Sequence, residues 1–176
     1  MPDELERDVL DRFVRGDRDA FERLFRHFER EVYRWALGLV RDTAAAEDVV
    51  VEAFWRAYRG RARFDPSRSF GAWMRRIVTN AARDHLRKAP LRESGLPVDQ
   101  LRAPARDVER DATVRLAFRR LPPKLQIVAT LALVENEPYA EIADALDVPV
   151  GTVKSRVFRA IRALRKELTR LGIHHD

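Results

Sequence analysis

The sequence predicts an all-α protein of two small helical domains, a four-helix N-terminal domain and a C-terminal helix-turn-helix domain, joined by a flexible linker. Three observations carry that prediction. Apolar residues recur at three- and four-residue intervals along most of the chain, whereas the alternation that marks strands is absent. Charged residues make up 35% of the composition beside 45% hydrophobic, more than the usual quarter or so, as suits amphipathic helices with heavily charged outer faces. Finally, Pro90, Pro97 and Pro104 punctuate a stretch that lacks a sustained apolar stripe, and 176 residues are enough for two small cores on either side of it.

Taken in order, residues 5 to 40 place Phe21, Leu24, Phe25, Phe28, Val32 and Trp35 at helical spacing, with a break at Gly16-Asp17 that divides the segment into two helices. Asp42 or Thr43 can cap a third helix, from Ala44 to about Arg59, which ends near Gly60. A loop containing Pro66 spans 61 to 69, and a fourth helix runs from Phe70 to Lys88. The linker covers 89 to 107. Helices resume near Val108: one reaches Arg120, a second starts at Pro122-Pro123 and runs through Leu133, and segments 141 to 146 and 151 to 171 complete the second domain. The expected domains are therefore 5 to 88 and 108 to 171.

Charge is distributed as unevenly as the helices are regular. The net charge is +6, but ten basic residues against Asp65 and Asp84 fall between Arg59 and Arg92, and seven against Glu167 fall between Val150 and Arg170. The remainder is acidic. Two basic islands on an acidic background point to two separate contacts with nucleic acid. The absence of cysteine excludes disulfide and thiolate chemistry. The first twenty residues hold acids and bases throughout, without the apolar run of a signal peptide or membrane span, so no membrane insertion and a cytoplasmic location are expected.

The most specific local signal is YAEIADALDVPVGTVKSRVFRA. Ile142, Ala143 and Leu146 would pack a first helix, Val148 fills a turn, and Val153 and Val157 anchor a second helix across it, the small Ala143 permitting close approach. At 100° per residue, Val153, Val157, Ala160, Ile161, Leu164 and Leu168 share one side, leaving Thr152, Ser155, Arg159, Arg162 and Lys166 opposite. Thr152, Lys154, Ser155, Arg156 and Arg159 are placed to meet base edges and phosphates in a major groove, with Arg162, Arg165 and Lys166 reaching phosphate. Asp147 occupies the turn position where such motifs usually have Gly, and Asp tolerates the left-handed conformation better than most residues. A solvated basic helix of an ordinary bundle is the alternative.

In the fourth helix, Phe70, Trp73, Met74, Ile77, Val78 and Ala81 face a core, while Arg76, Asn80, Arg83 and Arg87 form a contiguous line on another side. Arginines bind phosphate and Asn reads a base edge or sugar. The preceding RARFDPSRSF adds Arg63, Ser67, Arg68 and Ser69 together with Phe64 and Phe70, a composition suited to holding unstacked bases. Both aromatics could instead plug the core, and Phe70 and Trp73 are assigned there. The third helix has a core stripe of Val49, Val50, Ala53, Phe54 and Ala57, but Glu47, Asp48, Val51, Glu52 and Trp55 lie together outward. A Val and a Trp among acids suggest a protein-docking patch, the alternative being ordinary solvated surface.

The stretches DTAAAEDVVVEAFWRAY, FDPSRSFGAWMRRIVTNAARDHLRK and LPPKLQIVATLALVENEPYAEIADALDVPVGTVKSRVFRAIRALRKEL resemble, in that order, regions 2 and 4 of the extracytoplasmic-function (ECF) group of bacterial RNA polymerase sigma factors. The resemblance spans nearly the whole chain except the linker. It implies that Asp48, Glu52 and their neighbours bind the β′ clamp helices of core polymerase, with the β flap as a further contact. It implies that the 61 to 69 loop and the face of Arg76, Asn80, Arg83 and Arg87 engage the minus-ten element, and that the face from Thr152 to Arg162 reads the minus-thirty-five element. The linker would thread toward the RNA exit path, and an anti-sigma protein would cover the docking and DNA faces. The location implied is the bacterial nucleoid. Val51 stands where the family usually has Gln.

No cofactor, metal or catalytic group is expected. Glu47, Asp48 and Glu52 on a helical bundle lack a matching Glu-x-x-His, and His27 and His85 are isolated. A stand-alone helix-turn-helix regulator is the runner-up reading, and it leaves the Arg76 to Arg87 line and the Val51/Trp55 patch without a purpose.

Overall fold

The computed structural model describes residues 4–88 and 105–173, with side chains over 7–88 and 112–173. Every regular element among the described residues is helical. Apart from Ala145–Asp147, the chain divides at Lys88 into two compact units.

The first unit contains α1 (Glu4–Val14), α2 (Arg18–Val40), α3 (Thr43–Gly60) and α4 (Phe70–Lys88). Short polar residues set their boundaries. Asp17 takes an extended backbone and its carboxylate accepts the Ala20 N–H at 3.0 Å, opening α2. Arg41, left-handed at φ 54°, closes α2 by donating its N–H to the Leu37 carbonyl. Asp42 then caps α3 by accepting from the Ala45 N–H at 2.8 Å. Two residues thus turn the chain from α2 into α3. The expected break falls at Gly16, whose φ of +89° suits glycine and whose missing Cβ leaves room for Arg61 at 3.2 Å.

Helices α2, α3 and α4 pack on one another, and α1 closes the bundle against α2 and the 3-10 turn Arg61–Arg63. Phe13 is fully buried at the centre of an aromatic cluster, its ring 6.1 Å from Phe21, 5.5 Å from Phe70 and 6.3 Å from Trp73. Burying each such side chain contributes about 1.5–3 kcal/mol. Ala36, Ala46, Ala53 and Ala57 are also buried, allowing close approach of the backbones.

The second unit comprises α5 (Ala105–Arg119), α6 (Pro123–Ala129), a π-helical turn (Thr130–Val134), α7 (Tyr139–Leu146) and α8 (Val150–Arg170). The expected linker lies outside the described residues as far as 104, and its last three residues already belong to α5. Good helix formers immediately after Pro104 account for that earlier start. Ala117, Phe118, Leu121, Ala129, Ala160 and Leu164 form a core among α5, α6 and α8.

The helix expected from Pro123 through Leu133 is not uniform. At Thr130 the ladder widens, with the Glu135 N–H donating to the Thr130 carbonyl at 3.0 Å, and Asn136 at φ 53° ends the segment. In a continuous α-helix Val134, seven residues after the buried Ile127, would share its inward face. The extra residue of the π turn rotates it out, so Leu131 is buried while Leu133 and Val134 are exposed.

Candidate nucleic-acid and polymerase interfaces

In the C-terminal unit, α7 ends in a Schellman-type turn. Asp147 adopts φ 53° and the Val148 N–H reaches back to the Ala143 carbonyl at 3.0 Å. Asp therefore supplies the left-handed residue at the position where glycine is usual. Pro149 precedes α8, and its carbonyl accepts from Thr152 and Val153. Ile142, Ala143, Leu146, Val153 and Val157 are all buried, as the spacing predicts.

Lys154, Ser155, Arg159, Arg162, Arg165 and Lys166 are exposed on α8, with Thr152 and Arg156 half-buried. Two of these polar side chains fold back on their own helix: the Ser155 hydroxyl donates to the Thr152 carbonyl at 3.0 Å and Arg159 Nε to the Ser155 carbonyl at 3.4 Å. Sequence reasoning missed Phe158. It is 62% exposed among the basic residues, with the Arg162 guanidinium 5.9 Å from its ring centre. The available signal was its position off the buried stripe of Val153, Val157 and Ala160.

On α4, Met74, Val78, Ala81 and Ala82 are buried, Arg76, Asn80 and Arg83 are half-exposed and Arg87 is exposed. The approach to α4 is more constrained than its composition suggests. Asp65 organises it, Oδ1 accepting from the Ser67 N–H at 2.9 Å and the Ser67 hydroxyl at 2.7 Å, while Arg68 lies 3.7 Å from Oδ2. The Ser67 side-chain bond, then the backbone bond, hold the Asp65 carboxyl below its ordinary value. Ser69 accepts the Ala72 N–H at 3.2 Å at the start of α4. The two aromatics are not available to stack on bases. Phe64 and Phe70 are both buried, 5.6 Å apart, and Phe64 lies 4.8 Å from Trp73. The apolar energy gained by inserting Phe64 under the loop exceeds what an exposed ring would retain, so Arg63, Arg68 and the serines form the loop's outer surface.

The outer face of α3 is also as spacing predicts. Val51 is 70% and Trp55 53% exposed, one turn apart, with Glu47 and Asp48 exposed beside them. Trp55 stacks with Tyr58 at 6.3 Å, and Arg59 lies 5.5 Å over its ring. Glu52 differs from the other acids: Arg56 Nε donates to it at 2.6 Å. Of the predicted core stripe, Val49, Ala53, Phe54 and Ala57 are buried and Val50 is half-buried.

The sequence matches the sigma-70 region 2 model over residues 24–90 and the sigma-70 region 4 model over 112–164. It is 32% identical over 185 residues to the RNA polymerase sigma-H factor of Pseudomonas aeruginosa, covering 96% of both chains. It is 30% identical to the ECF RNA polymerase sigma factor SigW of Bacillus subtilis, covering 88% of this chain and 91% of that protein. The chain belongs to the ECF group of RNA polymerase sigma factors.

The same fold occurs in two solved complexes. CnrH bound to the cytosolic domain of CnrY aligns with a TM-score of 0.62 at 25% identity, over 94% of this chain and 97% of that one. The sigma factor RpoE of Bartonella quintana, bound to the anti-sigma factor NepR, aligns at 0.61 and 19% identity over 85% and 96%. This sigma factor is thus a transcription initiation factor that brings core RNA polymerase to promoter DNA, and the stand-alone regulator is not favoured. Among the described residues no helix is long and apolar enough to cross a membrane, and no group of three or more His, Asp or Glu is placed to hold a metal ion.

Proposed function

We propose that the two units, taken as 5 to 88 and 108 to 171, divide promoter recognition between them. Thr152, Lys154, Ser155, Arg156, Arg159 and Arg162 of α8 enter the major groove of the minus-thirty-five element, the arginines meeting guanine edges and phosphates. Phe158, exposed beside them, packs on a thymine methyl. Arg63, Ser67, Arg68, Ser69, Arg76, Asn80, Arg83 and Arg87 engage the minus-ten element, the loop holding a base extruded from the nontemplate strand. Only single-stranded DNA offers that base, so binding favours the melted state without nucleotide hydrolysis.

The single observation that carries this reading is the pairing, within one helical unit, of a basic α4 face with an outward α3 face where Val51 and Trp55 stand among Glu47, Asp48 and Glu52. An apolar centre ringed by acids is what a basic polymerase surface would grip, and the β′ clamp helices are the assigned partner. The β flap is assigned to the C-terminal unit. An anti-sigma protein covering the α3 and DNA faces would silence the factor, as the NepR and CnrY complexes of its structural neighbours suggest. The chain then has no catalytic site or cofactor of its own, phosphodiester chemistry belonging to the core enzyme, and it works in the cytoplasm on nucleoid DNA.

Transcription by purified core polymerase from a promoter library tests the proposal. New start sites with a common pair of upstream elements are expected on adding the chain. Tight operator binding without polymerase, and no new transcripts with it, would overturn the reading.

A further inference from the structure

Asp84 is the sole acid on α4 and sits in the middle of its basic line. Its two oxygens serve different neighbours. Arg56 of α3 donates from Nη1 to Oδ2 at 2.8 Å, across a sequence separation of 28, whereas Arg83 Nε and Arg87 Nη2 stand 3.9 and 3.8 Å from Oδ1. Arg56 thus holds the carboxylate at full hydrogen-bond distance, and the two arginines of the DNA face remain outside it. The Asp84 side chain is 22% exposed and that of Arg56 29%, so the pair is partly shielded from solvent, while Arg83 and Arg87 are progressively more open. Arg56 also serves a second acid, its Nε donating to Glu52 at 2.6 Å. Burial works to lower the pKa of the Arg56 guanidinium, but the bonds to Glu52 and Asp84 outweigh it and hold the group above its ordinary value.

We propose that Arg56 is a positioning residue for the DNA face: it draws the Asp84 carboxylate toward α3 and away from Arg83 and Arg87, while its Nε holds Glu52 on the polymerase-docking face. The inference rests on the proposed assignment of α4 to DNA and α3 to polymerase. Its logic is electrostatic. A carboxylate left unpaired at this position would turn to the nearest cations, and an arginine clamped by an acid releases fewer counterions when it meets a phosphate. A basic group of the polymerase that draws Glu52 away leaves Asp84 as the remaining acid bonded to Arg56, so docking and readiness for DNA are linked, and by thermodynamic necessity the coupling runs both ways.

The test uses the full chain and a fluorescein-labelled mixed-sequence single-stranded DNA, with binding read by anisotropy across a salt series and helicity by circular dichroism. Arg56→Gln is expected to weaken binding about three- to tenfold and to flatten the plot of log affinity against log salt by about 0.7 to 1.4, one to two phosphate contacts. Asp84→Asn, which takes the negative charge out of the same 2.8 Å bond, is expected to strengthen binding, and the double variant to recover at least the wild-type affinity and slope. Glu52→Gln should strengthen binding more than Glu47→Gln, the same charge change on the same helix face. If Asp84→Asn weakens binding as Arg56→Gln does, or the double variant is not rescued, the bond is a scaffold contact and the proposal falls. It falls likewise if Arg56→Gln changes nothing, or if Glu47→Gln matches Glu52→Gln. Should Arg56→Gln fail to fold, the sign of the Asp84→Asn effect decides. Arg83→Ala with Arg87→Ala tests the underlying assignment: wild-type affinity and slope there would mean that α4 does not bind DNA, whereas a loss there with no Asp84 effect would sink the positioning role alone.

Discussion

Arg12 and Asp17 join the two sides of the α1–α2 corner, with Arg12 Nη2 at 2.9 Å and Nε at 3.0 Å from Asp17 Oδ2, while the other carboxylate oxygen caps α2. The Ala20 N–H first, and then Arg12, stabilise the charged carboxylate and hold its pKa below the ordinary 3.8. A depressed folded-state pKa means stabilisation that is present above the unfolded value and lost as pH falls through the lower folded one. Asp17→Ala is therefore expected to lower Tm by a few degrees near neutral pH. The gap between variant and wild type should close below about pH 4, toward and through the folded pKa. Thermal unfolding between neutral and strongly acid pH would show it, and a constant gap would refute the assignment.

Phe64 gives a contrast between packing and binding. As a buried member of the aromatic cluster, its replacement by Ala should cost about 3–5 kcal/mol in denaturant unfolding. An unchanged midpoint with loss of single-stranded DNA binding would return the ring to the DNA surface.

The Val51/Trp55 patch predicts a separable defect. Trp55→Ala or Val51→Glu should weaken binding to core polymerase about tenfold to a hundredfold, while duplex DNA binding and Tm stay close to wild type because both side chains are exposed. Equilibrium titration of labelled core enzyme checks this; affinity within twofold of wild type would remove the docking role.

Charge and apolar contact on α8 should separate by salt. Arg156→Ala and Arg159→Ala are each expected to reduce the salt slope of duplex binding by about 0.9. Phe158→Ala should instead lower specific affinity with the slope preserved, since a thymine-methyl contact displaces no counterion. A change in slope for Phe158→Ala would mean that it acts by placing Arg162, whose guanidinium lies over the ring.

The helix-turn-helix turn makes a steric prediction. At φ 53°, Asp147→Gly should keep or raise stability, whereas Asp147→Val should cost about 1–2 kcal/mol, because a β-branched side chain crowds the left-handed backbone. Equal Tm values for the two variants would contradict it.

The sequence by itself determined the helical class, the two-unit organisation and the outward faces of α3, α4 and α8. Those features follow from local rules: a 3.6-residue period assigns each side chain to a face, Asp17 and Asp42 satisfy open N–H groups at helix starts, and Asp147 accepts the left-handed turn. Tertiary structure alone decided how those faces are completed. Phe64 lies beside Arg63 in sequence but belongs to a cluster built from α1 and α4, so composition placed it with the loop and packing placed it in the core. Leu133 and Val134 turn outward because one π turn shifts the helical register, which periodicity does not encode. Arg56 meets Asp84 only because α3 and α4 fold side by side. Sequence periodicity orients a residue about its own helix axis, whereas the partner across the gap is chosen by the packing of two helices, and the bond from Arg56 on α3 to Asp84 on α4 belongs to that second level.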